Sequence, residues 1–371
     1  MRILVTGGAG FVGSHLVDAL LRDGHQVRVL DNLDPQVHGA DAGRPEHLDT
    51  EAELQVADVR DHAAVGCALE GIEVVFHQAA AVGVGQSMYQ MEHYVSVNSV
   101  GAAVLLEEIV TRREQIQKMI VASSMSIYGE GAYRTASGQV LHPGLRAEAE
   151  LAAHRFEHSD AAGRPLQPIP TPEDKPLLPT SIYAVTKRDH EEMFRAVGAA
   201  YGIPTVALRY FNIYGPRQAL SNPYTGVIAI FCSRLLNRNR PMIFEDGLQS
   251  RDFVHVSDIV QANMLALEKD EADGRVYNVG TGQATTILSV AELLAEQLDF
   301  ADPPEVVARY RAGDIRHCVA DVSRIRGELG YEPRVALAEG MGELLAWLGT
   351  QKPSDQVERA AAELEQRGLT R

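Results

Sequence analysis

The chain has 371 residues, 45% of them hydrophobic, and carries 50 acidic against 34 basic side chains for a formal charge of −16. That length buries a large core, as one big domain or as two unequal lobes, and the second arrangement is expected here. The charge opposes nonspecific adhesion to nucleic acid or to an anionic membrane, so any anionic ligand has to be held by a few local arginines or lysines.

Cys67, Cys232 and Cys318 are widely spaced and odd in number, which gives neither a disulfide framework nor a zinc-type pair. The opening Met1-Arg2-Ile3-Leu4-Val5-Thr6 runs straight into glycines and lacks the n-region and apolar stretch of a secretory leader. No uninterrupted apolar run of about 18 residues follows. These features predict a cytoplasmic protein without a membrane span.

Taken in chain order, short apolar runs alternate with helical patterns: Arg2 to Thr6, Gly13 to Arg22, Gln26 to Asp31, Ala63 to Leu69 and Val74 to Gln78. The alternation continues with a helix around Val97 to Arg113, a strand over Lys118 to Ser123, a helix over Ser181 to Ala200 and a strand over Thr205 to Tyr210. Strands and helices of these lengths imply βαβ units, and together they predict an α/β Rossmann-type fold with a doubly wound parallel sheet.

Residues 1–215 are read as the dinucleotide-binding domain, interrupted at about 130–178 by a segment rich in Pro, Gly, Glu and His. A structureless loop of that length is uncommon inside a compact domain, so a partly ordered insertion over the carboxyl edge of the sheet is expected. Residues 216–350, with helices over Leu288 to Leu298 and Leu337 to Leu348, are read mainly as a smaller substrate-binding lobe that sends segments back to the first domain. Residues 351–371 read as a charged C-terminal tail.

The turn Thr6-Gly7-Gly8-Ala9-Gly10-Phe11-Val12-Gly13 follows a strand and opens a helix, the context in which glycines let a pyrophosphate approach a helix N-terminus. An ordinary strand-to-helix turn has the same look. The second strand, however, ends in Asp31-Asn32, placing a carboxylate where it accepts from the adenosine ribose hydroxyls and repels a 2′-phosphate. NAD is therefore favoured over NADP. Asp58 and Val59 are positioned for the adenine, or for a plain surface turn, and Ala79, Ala80 and Ala81 end a further strand with side chains small enough for a cofactor to lie close.

Tyr183 and Lys187 stand four residues apart on one helix face, so the ammonium favours the phenolate and moves a tyrosine from its ordinary pKa of about 10 toward a usable base. Such a pair alone is common on surfaces. Ser123 and Ser124, at the carboxyl end of the strand that precedes them, add a hydroxyl able to bridge Tyr183 and a substrate oxygen.

These segments, with RYFNIYGPRQ, RDFVHVSDI, YNVGTG and RAGDIRHCVAD further on, resemble the extended short-chain dehydrogenase/reductase family, and within it the nucleotide-sugar epimerases and dehydratases. The resemblance runs from Met1 to about Trp347. It implies Tyr183 as base, Lys187 as its ribose-binding partner and Ser124 as the hydrogen-bonding orienter. Asn98 belongs by the same resemblance to the proton and cofactor network, and Phe211 lies beside the nicotinamide. The sugar nucleotide is expected against Asn212, with Arg251 and Arg311 on the diphosphate, where a guanidinium fork suits phosphate oxygens. Asp314 is expected on the nucleoside ribose and Cys318 at a position that sets the room for a 2-substituent. A surface ion pair between Arg251 and Asp252 competes with that role.

A 4,6-dehydratase of this family carries an Asp-Glu pair directly after the active-site hydroxyl residue. Met125 and Ser126 stand there instead, and neither eliminates water by acid–base chemistry near neutral pH. The expected reaction is 4-epimerisation through a 4-keto intermediate, on a dTDP-deoxyhexose such as dTDP-L-rhamnose or on a UDP-hexose or UDP-uronic acid. A dehydratase, decarboxylase or reductase on the same scaffold is the alternative, and a non-catalytic NAD sensor comes after those. The resemblance also implies a homodimer formed through two helices of each copy. His154, Glu157 and His158 have helical metal-ligand spacing with His142 nearby, but read as polar surface of a flexible segment, and no metal is expected.

Overall fold

The computed structural model describes residues 1–39, 43–219, 226–311, 313–349 and 357–370. Seven parallel strands form its central sheet: β1 (Arg2–Thr6), β2 (Gln26–Asp31), β3 (Glu53–Val56), β4 (Val74–His77), β5 (Lys118–Ser124), β6 (Thr205–Tyr210) and β7 (Val276–Val279). Their spatial order is β7-β6-β5-β4-β1-β2-β3. The winding reverses between β1 and β4, and in sheets of this kind ligands bind at that crevice, beyond the carboxyl ends of the strands.

Both faces of the sheet are covered, which is why its strands read as near-continuous apolar runs and not as alternating ones. Helices α1 (Phe11–Arg22), α2 (His62–Ala68), α3 (Gly101–Thr111), α4 (Ile182–Tyr201) and α5 (Val256–Glu268) do the covering. Ile3, Val5, Val29, Phe76, Ile120 and Leu208 face one side and pack with Leu16 and Leu20 of α1 and Ile259 and Ala262 of α5. Leu4, Leu30, Val75, Met119 and Ala207 face the other and pack with Val65 of α2, Leu105 and Ile109 of α3 and Phe194 of α4. The helical stretch Met91–Thr111, which contains α3, is long and apolar enough by length and composition to cross a membrane, yet its inner face belongs to this second core.

Beyond residue 216 a separate apolar cluster joins the helices Val227–Leu236, Ile287–Gln297 and Leu337–Leu348 through Phe231, Leu235, Leu294, Met341 and Leu344. The chain returns from it twice, as α5 against α1 and as β7 at the sheet edge.

The segment 130–178 carries its own three-stranded antiparallel sheet, Val140–Leu141 beside Ala132–Arg134 beside Gln167–Ile169, and a short helix, Glu148–Ala152. An ionic network fastens it to the C-terminal half. Arg316, with no exposed surface, reaches Glu157 (2.8 Å from Nε), Glu245 (3.0 Å) and Asp246 (2.7 Å). Arg146 grips both carboxylate oxygens of Glu245 at 2.7 Å, and His158 lies 3.1 Å from Glu130. Glu157 and His158, expected as polar surface of a flexible segment, are engaged by this network: Glu157, itself exposed, pairs with Arg316 and the less exposed His158 lies against Glu130, because the insertion docks onto Arg316 and closes over Glu130. His154 is exposed, and no His, Cys, Asp or Glu group among the described residues is arranged to hold a metal ion.

Of the expected tail, Val357–Gln366 is helical, and its Leu364 is buried.

Candidate active site

A cavity of about 480 Å³ opens along the carboxyl ends of the central strands, within the usual range for small-molecule and cofactor sites. Its floor at one end is the glycine turn. Gly7 adopts φ +69°, and a Cβ there would stand 2.7 Å from the Ala79 nitrogen; a Cβ on Gly13 would stand 2.1 Å from the Gly7 carbonyl oxygen. Only glycine fits either place. Gly10 begins α1 without any side-chain cap, so the first-turn amides of that helix are left for an anionic ligand, and Phe11 and Val12 line the cavity beside them.

Asp31 is fixed by its own neighbourhood, its two carboxylate oxygens accepting from the backbone amides of Ala9 (3.0 Å) and Leu33 (3.0 Å). An ionised carboxylate retains lone pairs beyond those two bonds. Asn32, Asp58 and Val59 line the same end. The Arg60 guanidinium, 2.6 Å from Asp58, holds that carboxyl below its ordinary range. Ala79, Ala80 and Ala81 form the wall between the two ends. Asn98 stands behind that wall, fully buried, accepting from the Ala81 amide (2.8 Å) and donating to the Thr186 hydroxyl (2.9 Å).

At the other end lie Ser124, Tyr183 and Lys187. Ser181 caps α4 by accepting from the Ala184 amide (3.1 Å), and Ser87 accepts from the Tyr183 amide (3.0 Å), which together set the first turn that carries the phenol. Lys187 donates to the Ala122 carbonyl at 2.9 Å. The Ser124 hydroxyl accepts from Ser126 Oγ (2.9 Å) and from the Ser126 amide (3.2 Å). Ser123 lines the cavity, but its hydroxyl turns away to Glu191 (2.8 Å).

Burial pushes the Tyr183 phenol up to about 12, against a smaller opposite pull from its hydrogen bond with Ser124, and burial pushes Lys187 down to about 7. The expected lowering of Tyr183 by Lys187 is therefore not delivered by the protein alone. In a desolvated pair, removal from water outweighs mutual attraction.

Phe211 and Asn212 line this end as well, and Asn212 Oδ1 is shielded from solvent with no hydrogen-bond partner among the described residues. Four expected substrate contacts lie outside the lining. Arg251 is buried and pairs with Asp314 at 3.1 Å, not with Asp252, whose carboxylate is taken by Thr281 and Gly282. Arg311 is exposed, its guanidinium 4.3 Å from the Phe244 ring. Cys318 is buried, with its sulfur 3.8 Å from the Thr171 hydroxyl.

The lining also holds residues not assigned a binding role from the sequence. Gln78 donates to the Tyr210 hydroxyl (3.0 Å), and Met125 fills a buried position next to Ser124. The end of β4 and the residues directly after Ser124 already pointed to both. His190, buried behind Lys187, had a local signal too: it follows Lys187 by one helical turn.

The uncapped α1, the glycine cradle, the tethered acid that ends β2, and the Tyr/Lys pair of α4 facing Ser124 at the end of β5 define a dinucleotide-dependent enzyme scaffold of the short-chain dehydrogenase/reductase kind. The model of the NAD dependent epimerase/dehydratase family matches residues 3–147 and 156–280, and the chain belongs to that family. It is 38% identical over 353 residues to a dTDP-L-rhamnose 4-epimerase of Burkholderia thailandensis, covering 94% of this chain and 95% of that protein. Among solved structures it is similar to a UDP-glucose 4-epimerase of Thermotoga maritima with UDP-glucose (TM-score 0.77, 32% identity, 94% of this chain and 99% of that one). It is also similar to a UDP-glucose 4-epimerase of Thermus thermophilus in complex with NAD (TM-score 0.73, 32% identity, 95% of this chain and 100% of that one). The cofactor of the family is NAD.

Proposed function

We propose that this protein is an NAD-dependent isomerase that inverts C4 of a nucleoside-diphosphate sugar through a 4-keto intermediate. The observation that carries the reading is the pairing of Tyr183, Lys187 and Ser124 in one cavity with Met125 and Ser126, and no carboxylate pair, directly beyond the serine. Of the carboxylates that line the cavity, Asp31 ends β2, Asp34 caps the short helix that follows it and Asp58 lies just past β3. From β5 to β2 is three strand spacings, about 14 Å, too far for Asp31 to serve as the acid or base of a dehydration beside Ser124.

NAD is held in this reading by the amides that open α1, by Asp31, Asn32, Asp58 and Val59 around the adenosine, and by Ala79, Ala80, Ala81, Asn98, Lys187 and Phe211 toward the nicotinamide. When bound it supplies the hydride acceptor and donor at one sugar carbon. The chain supplies the rest. Tyr183 takes the proton of the C4 hydroxyl and later returns it to the same oxygen, Ser124 holds that oxygen, and Lys187 stabilises the phenolate.

Asn212, Arg251, Arg311 and Asp314 hold the nucleoside diphosphate, and Cys318 sets the room for a 2-substituent of the sugar. The Arg251–Asp314 pair has to open for this, which fits an acid and a base exchanging one another for ribose and phosphate oxygens. The 38% identity to a dTDP-L-rhamnose 4-epimerase favours a dTDP-deoxyhexose ahead of a UDP-hexose or UDP-uronic acid. We place the enzyme in the cytoplasm as a homodimer, joined where Val95, Val100 and Val185 are 40–48% exposed along Met91–Thr111 and α4.

The test is to incubate the purified protein with dTDP-deoxyhexoses, UDP-hexoses and UDP-uronic acids and to follow products by proton NMR. A C4 epimer formed without stoichiometric NADH supports the proposal. Loss of water or of carbon dioxide, or net NADH, moves the reaction to another member of the scaffold.

A further inference from the structure

Behind the Tyr/Lys pair lies a group of buried side chains that the reaction as described does not use. His190 sits one turn after Lys187 on α4 with no exposed surface. Its Nε2 lies 2.9 Å from the Asn98 carbonyl oxygen and its Nδ1 3.5 Å from Lys187 Nζ. A carbonyl only accepts, so Nε2 carries the hydrogen and Nδ1 presents a lone pair to the ammonium. On its other side His190 meets the ring of His77 at 4.9 Å. His77 is itself locked, its Nδ1 2.8 Å from the Thr6 hydroxyl and its ring stacked on Phe194 at 5.1 Å. The titratable groups facing His190 are thus Lys187 from its own helix and His77 from β4, and burial drives both imidazoles far below the ordinary histidine range.

Three donors belong to a lysine ammonium. One goes to the Ala122 carbonyl and one to His190 Nδ1, which leaves one for the cofactor ribose and the phenol. From this geometry we infer that His190 is a positioning residue: a neutral imidazole that fixes the Lys187 ammonium in place and favours its charged form against burial, so that its remaining N–H and its charge serve Tyr183. The contact chain Lys187, His190, Asn98 carbonyl ends on an atom that takes up no proton. It therefore holds the lysine without draining the proton that Tyr183 must give back to the substrate oxygen.

The inference rests on the reading of Tyr183 as the base, but its test does not depend on turnover. Tyrosinate absorbance near 295 nm is titrated for the NAD-loaded protein and for Tyr183→Phe, and the difference isolates the Tyr183 phenol. The same difference is then taken in a His190→Leu background and in a His190→Gln background. Removing the acceptor makes the buried ammonium easier to deprotonate and the phenolate harder to form, so Tyr183 is expected to titrate at least about half a pH unit higher in His190→Leu, a shift at the low end of what one ordinary net hydrogen bond contributes. His190→Gln offers an amide oxygen to Lys187 and an amide N–H to the Asn98 carbonyl, and is expected to restore at least half of the shift. An unchanged Tyr183 titration in His190→Leu with NAD still bound refutes the positioning role, as does an equal shift in His190→Leu and His190→Gln. If no nucleotide sugar is turned over by the unaltered protein, the proposed reaction fails while this titration still decides the role of His190.

Discussion

Replacing Lys187 by methionine should make the cofactor-free protein more stable at pH 6, although it disables the site. Burial lowers Lys187 from its ordinary value of 10.5 to about 7, so between those values the unfolded chain binds a proton that the folded chain does not. Stability therefore rises with pH through that window, and the whole penalty is present below the folded value. A difference of about three and a half pH units corresponds to about 5 kcal/mol. Methionine removes that penalty but abandons the Ala122 carbonyl and the His190 lone pair, which costs about 1–3 kcal/mol. The net expectation is a gain of about 2–4 kcal/mol at pH 6. The advantage shrinks by about 4 kcal/mol on going to pH 10 and there vanishes or changes sign. Urea unfolding of both proteins, stripped of NAD, at pH 6, 8 and 10 measures it. A stability difference that is flat with pH would refute the reasoning, because it would mean that the folded lysine keeps an ordinary affinity for its proton.

Tyr183→Phe removes one hydroxyl whose partner Ser124 keeps its contacts with Ser126; folding and NAD retention should be unchanged while kcat falls by about 10²–10⁴, read from epimer formation and from cofactor released on denaturation. Asp31→Asn keeps side-chain oxygen for the Ala9 or Leu33 amide but loses the charge; NAD affinity should fall about tenfold, a loss of about 1.4 kcal/mol, and NADP binding should become detectable by quenching of protein fluorescence. Arg316→Met leaves the partly exposed Glu157 and Asp246 without their shared cation and the buried Glu245 with Arg146 alone. With two of the three carboxylates reached by water it should cost about 1–3 kcal/mol, and limited proteolysis should then cut within residues 130–178 before it cuts the central domain.

The seven-stranded sheet is largely readable in the sequence because its strands are apolar runs bounded by motif residues, as Val27 to Asp31 and Lys118 to Ser124 are. The NAD end is readable for a related reason: its demands fall on backbone, and backbone demands select glycine and alanine at fixed places. The far end is not. Arg251 and Asp314 are close only because Ser250–Arg251 pairs alongside His317–Cys318, a long-range register that no local pattern announces. The same holds for Glu157, Arg316 and Glu245, which meet across three distant segments. The charged state of the Tyr/Lys pair escapes the sequence because four-residue spacing reports proximity but says nothing of burial, and burial dominates both groups here.

That burial bears on why such a site suits epimerisation. An epimerase must keep its keto sugar between two opposite hydride transfers and must let the ring present both faces in turn. Around Ser124 and Tyr183 the lining sets the small or apolar Ala79, Ala80, Ala81 and Met125 beside only a few polar side chains, Gln78, Ser126 and Asn212, so few groups are placed to hydrogen-bond a sugar hydroxyl. In the proposed reaction the ring is thus weakly held on its carbon face, and the binding energy falls on the nucleoside diphosphate end, where charged side chains are concentrated. Arg146 donates to the Asp314 carbonyl at 3.1 Å while gripping Glu245, so the insertion braces the backbone of that end. Rigidity at the nucleotide and slack at the sugar are opposite requirements. The fold meets them by building the first from an ionic network spanning the insertion and the C-terminal half, and the second from small apolar residues at the ends of β4 and β5.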